Sequence, residues 1–411
     1  MPLFVFLIPF ASGSTALVRL GALSLSLTQV FALALLYLLV LRQLALGIPL
    51  RSSTYAAAAL GLLLIWAGES MVSWFWAPPG RLGYDLRKSL NFFEYLTLVG
   101  IFLLLPARER VIRRCARAYL WSAGLILTLT LLKSVGIQAI PGYERYNAIP
   151  LGPLQIGVMA IFEKPAGFAA WTLPLLPWLM ISTSLGRHST LSRMGRYLLL
   201  LLVAFGISLN GSRSTWLAIA GSLMVTGLLI GHFKSSLPGG KRLSRVFFVT
   251  FVVLTLLGLL WTVGSTLVEL AFLLRPSTVG SRMRGYQLAL EMVLADPLSF
   301  LWGPGKDRFL MRTGVVEGSL VVPHNSILEE AVADGFMGLA LMLTFFLLLF
   351  RTAFAGLRLS VRRGRIDLAR FFLFAIGGVT AILFEGIFSN VTPSYGLWIM
   401  IVFILGSYPP N

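Results

Sequence analysis

The sequence predicts an all-α polytopic membrane protein, and three observations carry that prediction. Hydrophobic residues make up 57% of the 411-residue chain and charged residues only 12%, far from the balance of a soluble globular domain. Mean hydropathy is +0.84. Apolar runs long enough to cross roughly 30 Å of hydrocarbon as helices of about 20 residues recur from one end of the chain to the other.

Twelve such runs can be placed. Nine precede residue 267, at 3–18, 22–41, 54–75, 88–105, 116–136, 166–184, 195–209, 212–231 and 245–266. The first, in "MPLFVFLIPFASGSTALVRLG", has the length of a signal-peptide core but lacks a basic n-region, so it is read as a span. Residues 267–325 then form a long loop, and 326–411 hold the last three spans, at 326–350, 371–388 and 392–408.

Lys and Arg set the expected orientation, because short cytoplasmic loops retain them. More than half of the 34 basic residues fall in the connections after spans 2, 4, 6, 8 and 10, among them "ARERVIRRCAR", "GRHSTLSRMGR" and "RTAFAGLRLSVRRGR". Both termini are therefore expected in the cytoplasm and the long loop outside. The net charge of +18 is explained by these membrane-flanking loops and does not call for nucleic acid. Cys115 is the single cysteine, which excludes an intrachain disulfide.

A connection as long as 267–325 inside a helical bundle points to function. Within it, "STVGSRMRGYQLALEMVLADP" has helical spacing, with Tyr286, Ala289, Leu290 and Val293 on one face and Arg282 one turn before Tyr286. "WGPGK" is a turn. The chain then reaches "VVPHNS". Ser326 and Glu329 have capping-box spacing, which starts a helix at Ser326 and leaves Pro323, His324 and Asn325 just outside it. Beside a positive helix terminus an imidazole favours its neutral form, which can accept a proton, and anions are attracted.

Glu329, Glu330 and Asp334 follow in the first turns of a membrane-entering helix, where they are expected to border a wet cavity rather than lipid. Gly335 and Gly338 would let another helix pack closely on that face. In "SLNGSRSTWLA", Asn210-Gly211 breaks the helix and presents Arg213 at the same membrane face.

Each residue also has a plainer reading. Arg213 can snorkel from an interface. Arg282 and Arg284 can belong to a solvated helix face, and Arg275, Lys306, Arg308 and Arg312 are left as solvated or structural charges. His324 can sit at the surface, and the carboxylates can serve the helix dipole. Against this, arginine's planar fork suits two-pronged contact with a phosphate. The outward segments carry no Asp-x-Asp motif or His/Asp cluster, so neither a catalytic metal nor another cofactor is indicated.

The stretch "HNSILEEAVADGFMG", with "NGSRS" and "SRMRGYQLALEMVLADPLSFLWGPG", resembles the bacterial O-antigen ligases (the WaaL family), within a superfamily that includes O-antigen polymerases and O-linked oligosaccharyltransferases. The resemblance covers nearly the whole chain. The family pattern often has a tryptophan four residues after its loop arginine; here Tyr286 stands in that relation to Arg282, which favours Arg282 over Arg284 as the counterpart.

The resemblance implies an all-helical membrane fold of the GT-C glycosyltransferase type in the bacterial inner membrane, with its active site facing the periplasm. It implies an undecaprenyl diphosphate-linked glycan as donor and a sugar hydroxyl of the lipid A-core oligosaccharide as acceptor, among membrane lipids. Arg213 and Arg282 or Arg284 would meet charge on the departing diphosphate. His324 would act as general base or orient the acceptor, with Asn325 and Tyr286 in support. Attack from the opposite face would invert the anomeric centre. A polymerase or protein O-oligosaccharyltransferase would use the same donor. A lipid-linked sugar transporter is the alternative of a different class, since helix breaks beside cationic cavities also serve transport.

Overall fold

The computed structural model describes residues 1–11, 16–20, 23–46, 54–72, 83–104, 108–137, 143–151, 154–159, 165–185, 190–209, 213–233, 278–313, 325–387 and 394–407, with shorter stretches between 237 and 263 and between 315 and 320. Helices dominate. In chain order they are α1 (Pro2–Ala11), α2 (Leu27–Leu46), α3 (Thr54–Glu69), α4 (Gly83–Leu104), α5 (Arg108–Ser134), α6 (Pro165–Thr172), α7 (Leu175–Leu185), α8 (Thr190–Ser208) and α9 (Arg213–His232). An apolar helix α10 (Phe248–Leu260) follows. The rest are α11 (Thr278–Val293), α12 (Pro297–Trp302), α13 (Lys306–Thr313), α14 (Ser326–Arg362), α15 (Ile366–Gly386) and α16 (Tyr395–Ser407). Among the described residues, four helical segments are long and apolar enough to cross a membrane: Arg110–Ser134, Ser214–His232, Ser326–Arg362 and Ile366–Gly386. Shorter apolar helices accompany them, so the chain is a helical, membrane-embedded protein.

Two expected spans are built differently. Where 3–18 was expected to cross, α1 has ten residues, about 15 Å at 1.5 Å per residue. The rest joins a small antiparallel ribbon, β1 (Ala16–Leu20) against β2 (Leu23–Ser26). Ser12, Gly13, Ser14 and Thr15 between them are weak helix formers. Two more ribbons lie outside the long helices, β3 (Tyr143–Leu151) with β4 (Leu154–Met159) and β5 (Val315–Val316) with β6 (Ser319–Leu320).

The expected span 166–184 is broken into α6 and α7 at Pro174. Proline has no N–H to give the Ala170 carbonyl four residues back. The Tyr119 hydroxyl, reaching over from α5, sits 3.3 Å from the Ala170 oxygen and donates to the Trp171 oxygen at 2.7 Å. One buried side chain thus serves a helix break in the core, where an unmet carbonyl would be expensive.

α15 lies at the centre, packed on α9, α14, α16, α6 and α7. Small residues permit this closeness. A methyl group on Gly377 would meet Thr226 Oγ1 at 2.7 Å, one on Gly221 would meet the Phe384 ring at 2.7 Å, and one on Gly356 would meet Phe372 at 2.3 Å. The Ser222 hydroxyl donates to the Gly377 carbonyl across the α9–α15 seam at 2.7 Å. α14 and α15 form an antiparallel hairpin whose turn includes Gly364, at φ 64°. The basic stretch after the tenth expected span is thus continuous helix as far as Arg362.

Among its described residues the loop contains three helices, of which α11 and α13 share a small core with α14. It comprises Ala289, Met292, Val293, Phe309 and Val332. The buried face of α11 is turned from the expected one: Ala289 and Val293 are inside, but Leu290 is exposed.

Candidate functional site

The topology brings four helix ends to one end of the bundle. The α14–α15 hairpin puts the start of α14 at the same end of the bundle as the end of α15. The Ser214 hydroxyl, in the first turn of α9, donates to Glu385 Oε1 near the end of α15 at 2.7 Å. The Trp66 Nε1–H, in the last turn of α3, donates to Glu330 Oε1 on α14 at 2.6 Å. α11, α12 and α13 pack on α14.

The sequence-predicted residues distribute over these elements as follows. His324 lies outside the described residues. Arg213 opens α9 and Arg282 lies in the second turn of α11; their side chains are outside the described set. Arg284 is exposed on α11, and Tyr286 is half-buried there. Asn325 is the N-cap of α14, its Oδ1 accepting from the N–H groups of Ile327 (2.8 Å) and Leu328 (3.1 Å). The backbone placement thus gathers α9, α11 and the start of α14 at the same end.

The expected helix start at Ser326 is found, but the capping box is not. Asn is as good a cap as Ser and precedes it by one residue, so Asn325 takes the role. Glu329 is released from reaching back, and it pairs instead with Lys306 at the start of α13. Lys306, read from sequence as a solvated or structural charge, ties the loop to the membrane helix.

Glu329, Glu330 and Asp334 are buried in protein, against the expectation of a water-lined border. Glu69 of α3 joins them. A methyl group on Gly338 would stand 3.0 Å from Glu69 Oε2 and 3.2 Å from Glu330 Oε1, so the two carboxylates converge over that glycine. None of Glu69, Glu330, Asp334 and Glu385 is without a partner, as buried charge requires. Among the described residues no group of three or more His, Cys, Asp or Glu side chains is arranged to hold a metal ion.

Beneath the carboxylates lies an aromatic layer. Trp66 packs on Phe92 (4.7 Å between centroids) and Phe345 (6.1 Å), Phe345 on Trp398 (5.9 Å), and Trp398 stacks on Tyr95 at 4.1 Å and 14°. Trp66 therefore belongs to both layers, its ring among aromatics and its N–H on a carboxylate.

Sequence reasoning missed Trp66, Glu69 and Glu385. A signal existed for the acids, since each is a lone carboxylate in an apolar run, in "IWAGES" and "ILFEGIF", and an ionisable residue within a span marks a site by default. Nothing local pairs Trp66 with a residue 264 positions away.

Two glycines fix the loop on α14. Gly335 interrupts α14 with φ 64°, ψ −157°, and Gly303 ends α12 with φ 79°, ψ 150°. The Gly305 N–H donates to the Val332 carbonyl in the turn before the interruption, at 3.0 Å. Asp296 caps α12, accepting from the Ser299 N–H and hydroxyl, both at 2.8 Å. The Ser299 N–H, then its hydroxyl, and more weakly Arg308, hold the Asp296 carboxyl below the usual carboxylate range.

Comparison with protein-family models and with curated proteins finds no match for this chain.

Proposed function

We propose that the chain is an O-antigen ligase, a metal-independent, inverting glycosyltransferase of the GT-C type with twelve spans in the bacterial inner membrane. Both termini lie in the cytoplasm and the site faces the periplasm. The donor is a glycan on undecaprenyl diphosphate, and the acceptor is a sugar hydroxyl of lipid A-core.

One observation carries this reading. Asn325 of "HNSILEEAVADGFMG", the residue that follows His324 in sequence, is the cap of α14, and the helix bearing Arg282 and Arg284 packs on that same helix. The reaction needs positive charge and a proton acceptor together. As the acceptor oxygen attacks the anomeric carbon, the bond to the diphosphate breaks and its electron pair leaves with the phosphate. Arg213 and Arg282 offset the charge that accumulates there. The hydroxyl proton passes to neutral His324. The α14 N-terminus adds its own partial positive charge.

The test is transfer of lipid-linked glycan to lipid A-core by purified protein in vesicles. His324→Ala should abolish transfer, and Arg213→Ala and Arg282→Ala should each slow it about 10²–10³-fold. Arg284→Ala should have a smaller effect. Wild-type rates in His324→Ala would overturn the assignment. Chain lengthening with donor alone would make the protein a polymerase, transfer to a peptide an oligosaccharyltransferase, and donor translocation without acceptor a transporter.

A further inference from the structure

The loop between α10 and α14 reads from sequence as extramembrane, yet part of it has the surface of a membrane element. Beyond the interruption at Gly335, the exposed large apolar residues of α14, Phe336, Leu343, Leu347 and Phe354, recur at intervals of seven, four and seven, one stripe along a helix. Leu347 is 70% exposed and lies within a segment long and apolar enough to span a membrane. This stripe is the lipid-facing side of α14.

The stripe does not end at the top of α14. Phe300 of α12 lies parallel to Phe336, with ring centroids 5.6 Å apart and planes at 11°. Around it Leu294, Leu298 and Leu301 are all exposed, Leu298 by 55%. The whole of α12, "PLSFLW", carries no charge and ends in tryptophan, the residue type that collects where bilayer meets water. Its polar atoms are cared for internally. Asp296 takes the Ser299 N–H and hydroxyl, and the Gly303 N–H donates to the Ser299 carbonyl at 2.9 Å. A helix entering an apolar phase needs such closure.

Charge follows in the right order. Past the Gly-Pro-Gly turn, Arg308 and Arg312 of α13 are exposed one helical turn apart. An apolar face flanked by arginines matches acyl chains beneath anionic phosphates. The depth of α12 is also fixed, because Gly303 and Gly335 leave no room for it to slide along α14.

We propose that α12 is seated in the bilayer, in the leaflet at the α14 N-terminal end, with Leu298, Phe300 and Leu301 against phospholipid acyl chains. The loop is thus anchored in the membrane beside the proposed site, and this inference stands whether or not the chain is a ligase.

The test is spin-label depth measurement in vesicles of phosphatidylethanolamine and phosphatidylglycerol. Leu298→Cys and Leu301→Cys are labelled separately, with Leu347→Cys as the lipid-facing reference and Arg284→Cys as the aqueous one. The native Cys115 is buried, and mock labelling of the parent chain verifies that it stays unlabelled. The ratio of oxygen to nickel-chelate accessibility at 298 and 301 should match that at 347. A ratio like that at 284 would overturn the proposal. So would labels shielded from both reagents, or spin–spin broadening between copies, which would mean that protein covers the face. Either of the two positions suffices if the other variant does not fold.

Discussion

Gly303 and Gly335 meet backbone to backbone: a methyl group on Gly335 would stand 2.3 Å from the Gly303 nitrogen, and one on Gly303 would stand 2.6 Å from the Gly335 nitrogen. Both residues occupy a region of positive φ and extended ψ that is almost reserved for glycine. The contact joins the loop helices to the membrane helix at its interruption.

Gly335→Ala should therefore cost at least about 3 kcal/mol, the upper end for such backbone strain, before any clash is added. Gly364→Ala is the control. It too has φ 64°, but no atom lies within 4 Å of where its methyl would be, so its loss should stay near 1–2 kcal/mol. Unfolding in detergent compares the two, and equal losses would show that the Gly303 contact contributes nothing.

Lys306 and Glu329 should show strong coupling. Lys306→Met leaves a buried carboxylate without its cation and should destabilise by about 3 kcal/mol. Glu329→Leu in the same chain should restore most of that, and a double-mutant cycle on unfolding free energies reads the difference. Additive losses would place the pair among exposed ion pairs of little consequence.

Tyr119→Phe removes the donor that serves the break at Pro174. A buried carbonyl left unmet costs about 1–3 kcal/mol, and amide exchange around the break between α6 and α7 should quicken more than in α5. Unchanged exchange there would mean that another group takes over the carbonyls.

The cap of α12 should be sensitive to acid. The Asp296 carboxyl is held below its ordinary value, so its contribution is complete above the unfolded pKa of about 4 and is lost as pH falls through the lowered value. Protection of the Ser299 amide, corrected for intrinsic exchange, should fall with pH in the parent chain. In Asp296→Asn it should be flat.

Much of the helical frame was legible because apolar runs of membrane length have few alternatives. The turn at Gly303–Gly305 and the start of α14 at Ser326 were legible too, from glycines and a cap signal. What escaped depends on residues remote in sequence. Pro174 announces a break, but only the fold shows that Tyr119 mends it. Ser326-x-x-Glu329 satisfies a local rule, yet Lys306 takes the glutamate that the rule had assigned to the cap. Nothing local in "PLSFLW" pairs Phe300 with Phe336, which lies 36 residues further along the chain.

The rings of Trp66, Phe345, Trp398 and Tyr95 touch in series, the last two stacked and the others tilted. They continue the buried carboxylates into a run of mostly apolar ring surface, which a bare ion crosses only at high cost. A vesicle carrying this protein should hold an imposed voltage, while Trp398→Ala opens a leak beside Tyr95. A voltage that holds in the parent chain and decays in the variant would show that this aromatic layer closes the path for ions.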